Sequence, residues 1–180
     1  AVVSSYFATS TAVAVLILAL ISPVMGAIAD FKGMKKKMFT ISLIIGLIGG
    51  FSLAITTSWQ AFLFLFIVAR IGYAACNVFY DSMLVDVTSD ERMDTVSGAG
   101  YAFGYVGSTI PFVVGIVLVL FGENFGLSVG LATQISFAIT MVWWAVLSIP
   151  LLKNVNQTYF KPSQPNIVRH SFKNLKVTMK

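Results

Sequence analysis

Residues 26–37 have the sequence GAIADFKGMKKK, and an apolar run long enough to cross a lipid bilayer lies on each side of them. The stretch contains one aspartate, two glycines and four lysines. A short basic gap between two long apolar runs is typical of a loop that joins two transmembrane helices at the membrane surface. The stretch therefore predicts a helical membrane protein and places the junction of its first two membrane-spanning helices.

The composition of the whole chain supports this interpretation. Of its 180 residues, 57% are hydrophobic and 11% are charged, and its mean hydropathy is +0.87. Soluble domains carry about 25% charged residues, so this chain has too little polar surface to be covered by water. In such an apolar chain, the net charge of +5 favours basic loops beside a membrane over nucleic-acid binding. The single cysteine, Cys76, excludes a disulfide framework and a cysteine-based metal site.

Five segments reach the length of about 20 apolar residues that a helix needs to cross a bilayer. We therefore predict an all-α membrane protein with a transmembrane bundle in residues 1–152 and a separate basic segment in residues 153–180. Because position 1 is not methionine and the number of helices is odd, we expect one further helix ahead of the chain. The predicted transmembrane helices are residues 7–29, 38–58, 59–84, 97–121 and 127–152.

The basic residues predict the orientation of these helices. Eleven of the twelve lysine and arginine residues, all but Arg70, lie in the first gap, in the third gap or after the last helix. These three regions alternate onto one side of the membrane, and an excess of lysine and arginine marks the cytoplasmic side. We therefore predict that residues 30–37, 85–96 and 153–180 are cytoplasmic.

Arg70 lies near the middle of the third predicted helix, where a charge costs about 2.5–3.5 kcal/mol unless it faces protein or water. Tyr73, Asn77 and Asp81 follow at steps of three, four and four residues, so they share its helix face. Arg70 and Asp81 are about 16 Å apart along the axis, so each requires a partner from another helix. We interpret this face as the wall of a polar cavity, and the alternative is a buried ion pair that only holds helices in register.

Two further segments carry helical patterns of their own. In residues 97–115, Gly100, Gly104 and Ser108 follow at four-residue steps, which favours close helix packing, while Gly107 and Pro111 indicate a point where the helix bends. In residues 167–180, basic and apolar residues repeat at helical spacing. That pattern predicts an amphipathic helix that lies on the cytoplasmic leaflet or packs beneath the bundle.

The opening stretch resembles the signature loop between the second and third helices of the major facilitator superfamily. Gly26, Asp30 and Gly33 occupy fixed positions of that pattern, and Lys35 with Lys36 follows one place late. The sequence departs from the pattern at residue 31, where phenylalanine replaces a basic residue, and at residue 34, which is methionine. The resemblance implies a loop that latches the inner gate closed. A basic loop that only sets membrane orientation is the alternative.

Residues 77–108, NVFYDSMLVDVTSDERMDTVSGAGYAFGYVGS, resemble the matching region of the autophagy-related vacuolar effluxer family and its bacterial relatives. This resemblance implies that the five helices correspond to helices two to six of a major facilitator fold. The first helix and the C-terminal half would then lie outside the chain. Vacuolar members of that family are associated with efflux of neutral amino acids.

Together the resemblances imply a secondary transporter that works by alternating access, either in a bacterial cytoplasmic membrane or in a vacuolar-type membrane. The expected partners are the lipid bilayer, a small-molecule substrate, a coupling proton and the remaining parts of the same protein. We expect no nucleic acid, cofactor, metal or catalytic residue. One alternative is a non-transporting assembly subunit. Another is an intramembrane enzyme, since Tyr80 and Asp81 resemble half of an aspartyl protease site whose Gly-x-Gly-Asp half is missing from the sequence.

Overall fold

The computed structural model of the chain describes residues 2–162, most of which are helical. Five of the helices are long and apolar enough to cross a membrane, and this confirms the predicted all-α membrane fold. A single helical turn, Leu84–Val87, follows the third of these helices. The predicted amphipathic helix in residues 167–180 lies outside the described residues. The helices are α1 (Val2–Ala29), α2 (Met34–Ile55), α3 (Trp59–Ser82), α4 (Leu84–Val87), α5 (Met93–Phe121) and α6 (Val129–Asn154).

The helix limits differ from the predicted apolar spans by up to five residues, chiefly at the N-terminal ends. The helix α2 begins at Met34 and so includes three lysines, and α5 begins at Met93, directly after the 3₁₀ turn Asp90–Arg92. Lys36 and Lys37 allow α2 to continue past the apolar run because long basic side chains at the membrane surface can extend to water. The apolar length of a segment therefore underestimates the helix at these ends.

The helix α2 lies at the centre of the bundle. It packs against α3 on one side and α6 on the other, while α1 packs on α3 and α5 packs on α6. The best-buried cluster lies where α1, α2 and α3 meet. It is near the end of the bundle that carries residues 30–37, which we call the lysine-rich loop. We call this end of the bundle the basic end. The buried members of this cluster are Ala29, Phe39, Leu43, Ala75, Cys76, Phe79 and Met83.

Glycine allows α2 and α3 to approach until their backbones touch. A Cβ atom added at Gly72 would lie 2.5 Å from the backbone nitrogen of Gly46, and one added at Gly49 would lie 2.8 Å from that of Ala69. Small residues at such a contact are typical of membrane helices, whose association depends on van der Waals packing rather than on removing apolar surface from water. The backbones of α2 and α3 are therefore in direct contact at these glycines.

The predicted packing glycines on α5 have more open surroundings. A Cβ atom at Gly104 would meet no heavy atom within 4 Å, and one at Gly107 would meet only Leu147, at 3.7 Å. At Gly100 the nearest atom would be the hydroxyl oxygen of Tyr80, at 3.2 Å. No helix of residues 2–162 covers Gly104, so its role in helix packing stays a prediction.

Candidate functional site

The polar face of α3 lies opposite the face that packs in the bundle. Gly72, Ala75, Cys76 and Phe79 are buried. Four polar side chains are all exposed on the other side, as 100° per residue requires. We call these four the α3 stripe. They are Arg70, Tyr73, Asn77 and Asp81.

One member of the α3 stripe is positioned by a neighbouring helix. The rings of Tyr73 and Trp144 of α6 meet edge to face, with centroids 5.8 Å apart and planes at 66°, an arrangement that aromatic pairs favour. The ring of Trp144 also lies against Gly46 of α2, so the tryptophan is held between two helices. Tyr73 keeps 47% of its surface exposed.

The two charged members of the stripe have no ion-pair partner within residues 2–162. The ion pairs found there are Lys35–Asp86 and Lys161–Asp30. The expected partners of Arg70 and Asp81 therefore remain predictions. In the same part of the chain, no group of three His, Cys, Asp or Glu side chains could hold a metal ion.

The lysine-rich loop forms a tight turn at the basic end. Gly33 has a φ of +72°, in the left-handed region that glycine adopts at little cost. Phe31 is 3% exposed, so the residue that departs from the family pattern fills space beneath the bundle. Lys32 lies 5.3 Å from the ring centroid of Phe160, within the range of a cation–π contact.

Lys35 forms a buried ion pair with Asp86 of α4. Its Nζ atom lies 2.7 Å from Oδ2 of Asp86 and also donates to the carbonyl of Ser82, at 2.9 Å. The exposed fractions of the Lys35 and Asp86 side chains are 7% and 0%. Ser82 ends α3, where a cation is favoured by the helix dipole. Lys35 therefore joins the start of α2 to α4, through Asp86, and to the end of α3, through Ser82.

The carboxylate of Asp86 also binds the segment that follows α6. Its Oδ1 atom accepts the backbone N–H groups of Thr158, at 2.7 Å, and Tyr159, at 3.1 Å. Burial raises the pKa of this carboxyl and is the largest single influence. The hydrogen bonds from Lys35 and from the two backbone groups together outweigh it, so the pKa of Asp86 lies below its ordinary value.

Residues 156–161 continue from this point across the lysine-rich loop, and we call them the strap. The side-chain amide of Gln157 donates to the carbonyl of Ala29, at 3.0 Å, and its oxygen accepts from the backbone of Lys35, at 3.5 Å. The backbone N–H of Lys161 donates to the carbonyl of Asp30, at 2.7 Å, and the two side chains form an ion pair of the same length. The strap therefore ties the ends of α1, α2 and α4 together.

Asp30 forms an exposed ion pair with Lys161 of the strap. Its side chain is 49% exposed and that of Lys161 is 60% exposed, in contrast to the buried pair. Lys36 approaches the side-chain oxygen of Asn156 at 3.5 Å. Gly26 lies one turn before the end of α1, where an added Cβ would meet nothing within 4 Å.

Sequence reasoning missed Asp86 and the strap. The sequence offers one signal for Asp86, because it is an acidic residue at a helix end near a lysine-rich loop. Its pairing with Lys35 joins residues 51 positions apart. The strap has no helical or alternating pattern, so nothing in its residue spacing indicated the contacts it makes.

The comparisons with known proteins agree with this architecture. The family model of the Major Facilitator Superfamily matches residues 3–176. A Bacillus subtilis (strain 168) protein named "Uncharacterized MFS-type transporter YxiO" is 42% identical over 181 residues, which cover 98% of this chain and 42% of that protein. An Aquifex aeolicus (strain VF5) protein named "Uncharacterized protein" is 35% identical over 91 residues, 49% of this chain and 23% of that protein. No solved structure matches the chain.

Five membrane-length helices with one polar helix face define a multi-pass membrane protein of the transporter class. The chain belongs to the major facilitator superfamily. That membership points to a transporter rather than an enzyme. The chain spans 42% of the length of its Bacillus relative.

Proposed function

We propose that the chain forms part of a secondary transporter that moves a small solute by alternating access. The observation that carries this proposal is the α3 stripe, a row of polar side chains along an otherwise apolar helix, on the face opposite its packed side. Polar and charged residues inside a membrane are costly to keep and face protein, water or substrate. Transporter substrates bind near the bilayer midplane between structural repeats, and Arg70 is in the middle of α3.

The chemistry of the stripe favours a solute with an anionic group. Arg70 offers a fork of N–H donors to a carboxylate, and Tyr73 and Asn77 extend one turn and two turns further with neutral hydrogen-bonding groups. Asp81, nearest the basic end, would take a gate partner or a coupling proton. Neutral amino acids are the substrate class that the effluxer-like sequence of residues 77–108 suggests.

The basic end supplies the gate in this proposal. We place residues 30–37, 85–96 and 153–180 on the cytoplasmic side because nearly all lysine and arginine residues lie there. Since both relatives are bacterial, a bacterial cytoplasmic membrane is favoured over a vacuolar-type one. Asp30 and its exposed partner Lys161 would separate and rejoin as the inner gate opens and closes.

The test is transport by the full-length protein in liposomes, screened with amino acids and other small anions, with and without a proton gradient. Arg70→Ala should lower substrate affinity at least about tenfold, the loss expected for one charge-assisted hydrogen bond. Arg92→Ala is the matched control, because Arg92 is an exposed arginine at the basic end. Unchanged transport by Arg70→Ala would remove the stripe from the substrate pathway.

A further inference from the structure

Near its middle, the helix α5 lacks one backbone hydrogen-bond donor. Pro111 has no N–H group, so the carbonyl of Gly107, four residues earlier, has no donor within its own helix. Gly107 is midway between the ends of α5, at Met93 and Phe121. In the apolar part of a membrane protein, a carbonyl left without a hydrogen-bond donor costs several kcal/mol.

The missing donor is supplied by α6. The indole Nε1–H of Trp143 donates to the carbonyl of Gly107 at 2.9 Å. This bond therefore occupies the acceptor that Pro111 leaves open, and it joins the centres of two helices. Tryptophan indole has a single N–H donor, so the bond fixes which way the ring faces.

Other features weaken α5 at the same place. The hydroxyls of Ser108 and Thr109 both donate to the carbonyl of Tyr105, at 3.0 Å and 2.9 Å, and such back-bonding bends membrane helices. Gly104 has open space beside it, and glycine lowers helix stability relative to alanine. Residues 104–111 are therefore the stretch of α5 whose backbone is least restrained by its own helix.

We propose that residues 104–111 form a hinge in α5 and that Trp143 is the positioning residue that holds this hinge in the conformation seen in the structure. A change in the angle between the two halves of α5 would move the carbonyl of Gly107 away from the indole and break this hydrogen bond. The Trp143–Gly107 hydrogen bond thus couples the bend of α5 to the position of α6. This inference concerns the helix pair and stands whichever solute the protein moves.

The test is amide hydrogen exchange of the full-length protein in lipid nanodiscs, followed at the amides of residues 108–110 and 112. Trp143→Phe keeps an aromatic ring but removes the donor, so exchange there should become roughly two- to tenfold faster, the change expected for one hydrogen bond. Trp144→Phe is the matched control. Its ring packs on Gly46 and Tyr73, and exchange in α5 should stay at the wild-type rate.

A second substitution separates the hydrogen bond from simple packing. Pro111→Ala restores an N–H that can bind the Gly107 carbonyl, so adding Trp143→Phe in that background should have no further effect. If Trp143→Phe alone does not fold, the double variant should fold. Equal acceleration by Trp143→Phe in both backgrounds, equal acceleration by Trp144→Phe, or failure of both Trp143→Phe variants to fold would overturn the proposal.

Discussion

The Nζ atom of Lys35 lies 2.7 Å from Oδ2 of Asp86, and the two side chains retain only 7% and 0% of their exposure. One lysine of the lysine-rich loop is therefore withdrawn from the membrane surface and bound to the bundle. The same carboxylate accepts two backbone N–H groups of the strap. Asp86 thus connects α2, α4 and the segment after α6.

Removing Asp86 should destabilise the basic end strongly. Asp86→Ala leaves the ammonium of Lys35 buried without a counter-charge, and breaking a buried pair in this way costs about 3–5 kcal/mol. Equilibrium unfolding of the purified protein in detergent measures the loss. The double variant Lys35→Met with Asp86→Leu should recover much of it, because both buried charges are then absent.

The exposed ion pair provides the matched comparison. Lys161→Gln removes a partner of Asp30 at a distance equal to that of the buried pair, but an exposed pair contributes only about 0–1 kcal/mol. We expect Lys161→Gln to change the free energy of unfolding by less than about 1 kcal/mol. A loss with Lys161→Gln as large as that with Asp86→Ala would contradict the distinction between the two pairs.

The contribution of Asp86 should also depend on pH in a defined direction. Its pKa in the folded protein lies below 3.8, the ordinary value of an aspartate. A depressed pKa contributes stability that is fully present above the unfolded pKa and is lost as pH falls through the folded pKa. The stability difference between wild type and Asp86→Asn should therefore be constant above about pH 4 and shrink below it. If the stability difference between wild type and Asp86→Asn grew as the pH fell, the pKa of Asp86 would not be lowered in the folded protein.

The glycine contact between α2 and α3 should not accept a methyl group. Gly72→Ala places a carbon 2.5 Å from the backbone of Gly46, and such overpacking costs about 1–3 kcal/mol. Gly98→Ala is the control, because nothing lies within 4 Å of its added Cβ and alanine favours a helix by up to about 1 kcal/mol. Thermal unfolding should separate the two variants, and equal melting temperatures would show that the helices can move apart without cost.

Asp30 should matter to the transport cycle more than to stability or binding. Its exposed pair with Lys161 is weak enough to exchange partners as the gate moves. Asp30→Asn should therefore slow turnover while the Kd for substrate stays near its wild-type value. Binding and turnover measured on the same proteoliposomes distinguish these effects, and a loss confined to affinity would exclude the latch.

The membrane fold could be predicted because each helix needs about 20 apolar residues to cross the hydrocarbon core of a bilayer. The positive φ of Gly33 was likewise predictable, since the glycine stands where a short loop must turn. The α3 stripe follows from spacing alone, because Arg70, Tyr73, Asn77 and Asp81 repeat at helical steps. These features depend on residues close together in the chain.

The buried pair and the strap could not be predicted in the same way. Lys35 resembles its neighbours Lys36 and Lys37 in sequence, and only the folded bundle places Asp86 beside one of them. The glycine contact was expected on α5 because its small residues are regularly spaced. That expectation stays a prediction, and the structure also brings Gly46 of α2 and Gly72 of α3 together, a pairing set by which helices are neighbours.

The most direct test of the central claim is cysteine labelling along α3 in the full-length protein. Cys76 is the single cysteine of the chain, so replacing it with serine makes every introduced cysteine of this chain the only one. A charged, water-soluble thiosulfonate reacts with a thiolate, which requires contact with water. Cysteines at Tyr73 and Asn77 should react, whereas one at Phe64, on an apolar part of the helix, should not. Unreactive cysteines at 73 and 77 together with a reactive cysteine at 64 would place the α3 stripe away from any aqueous pathway.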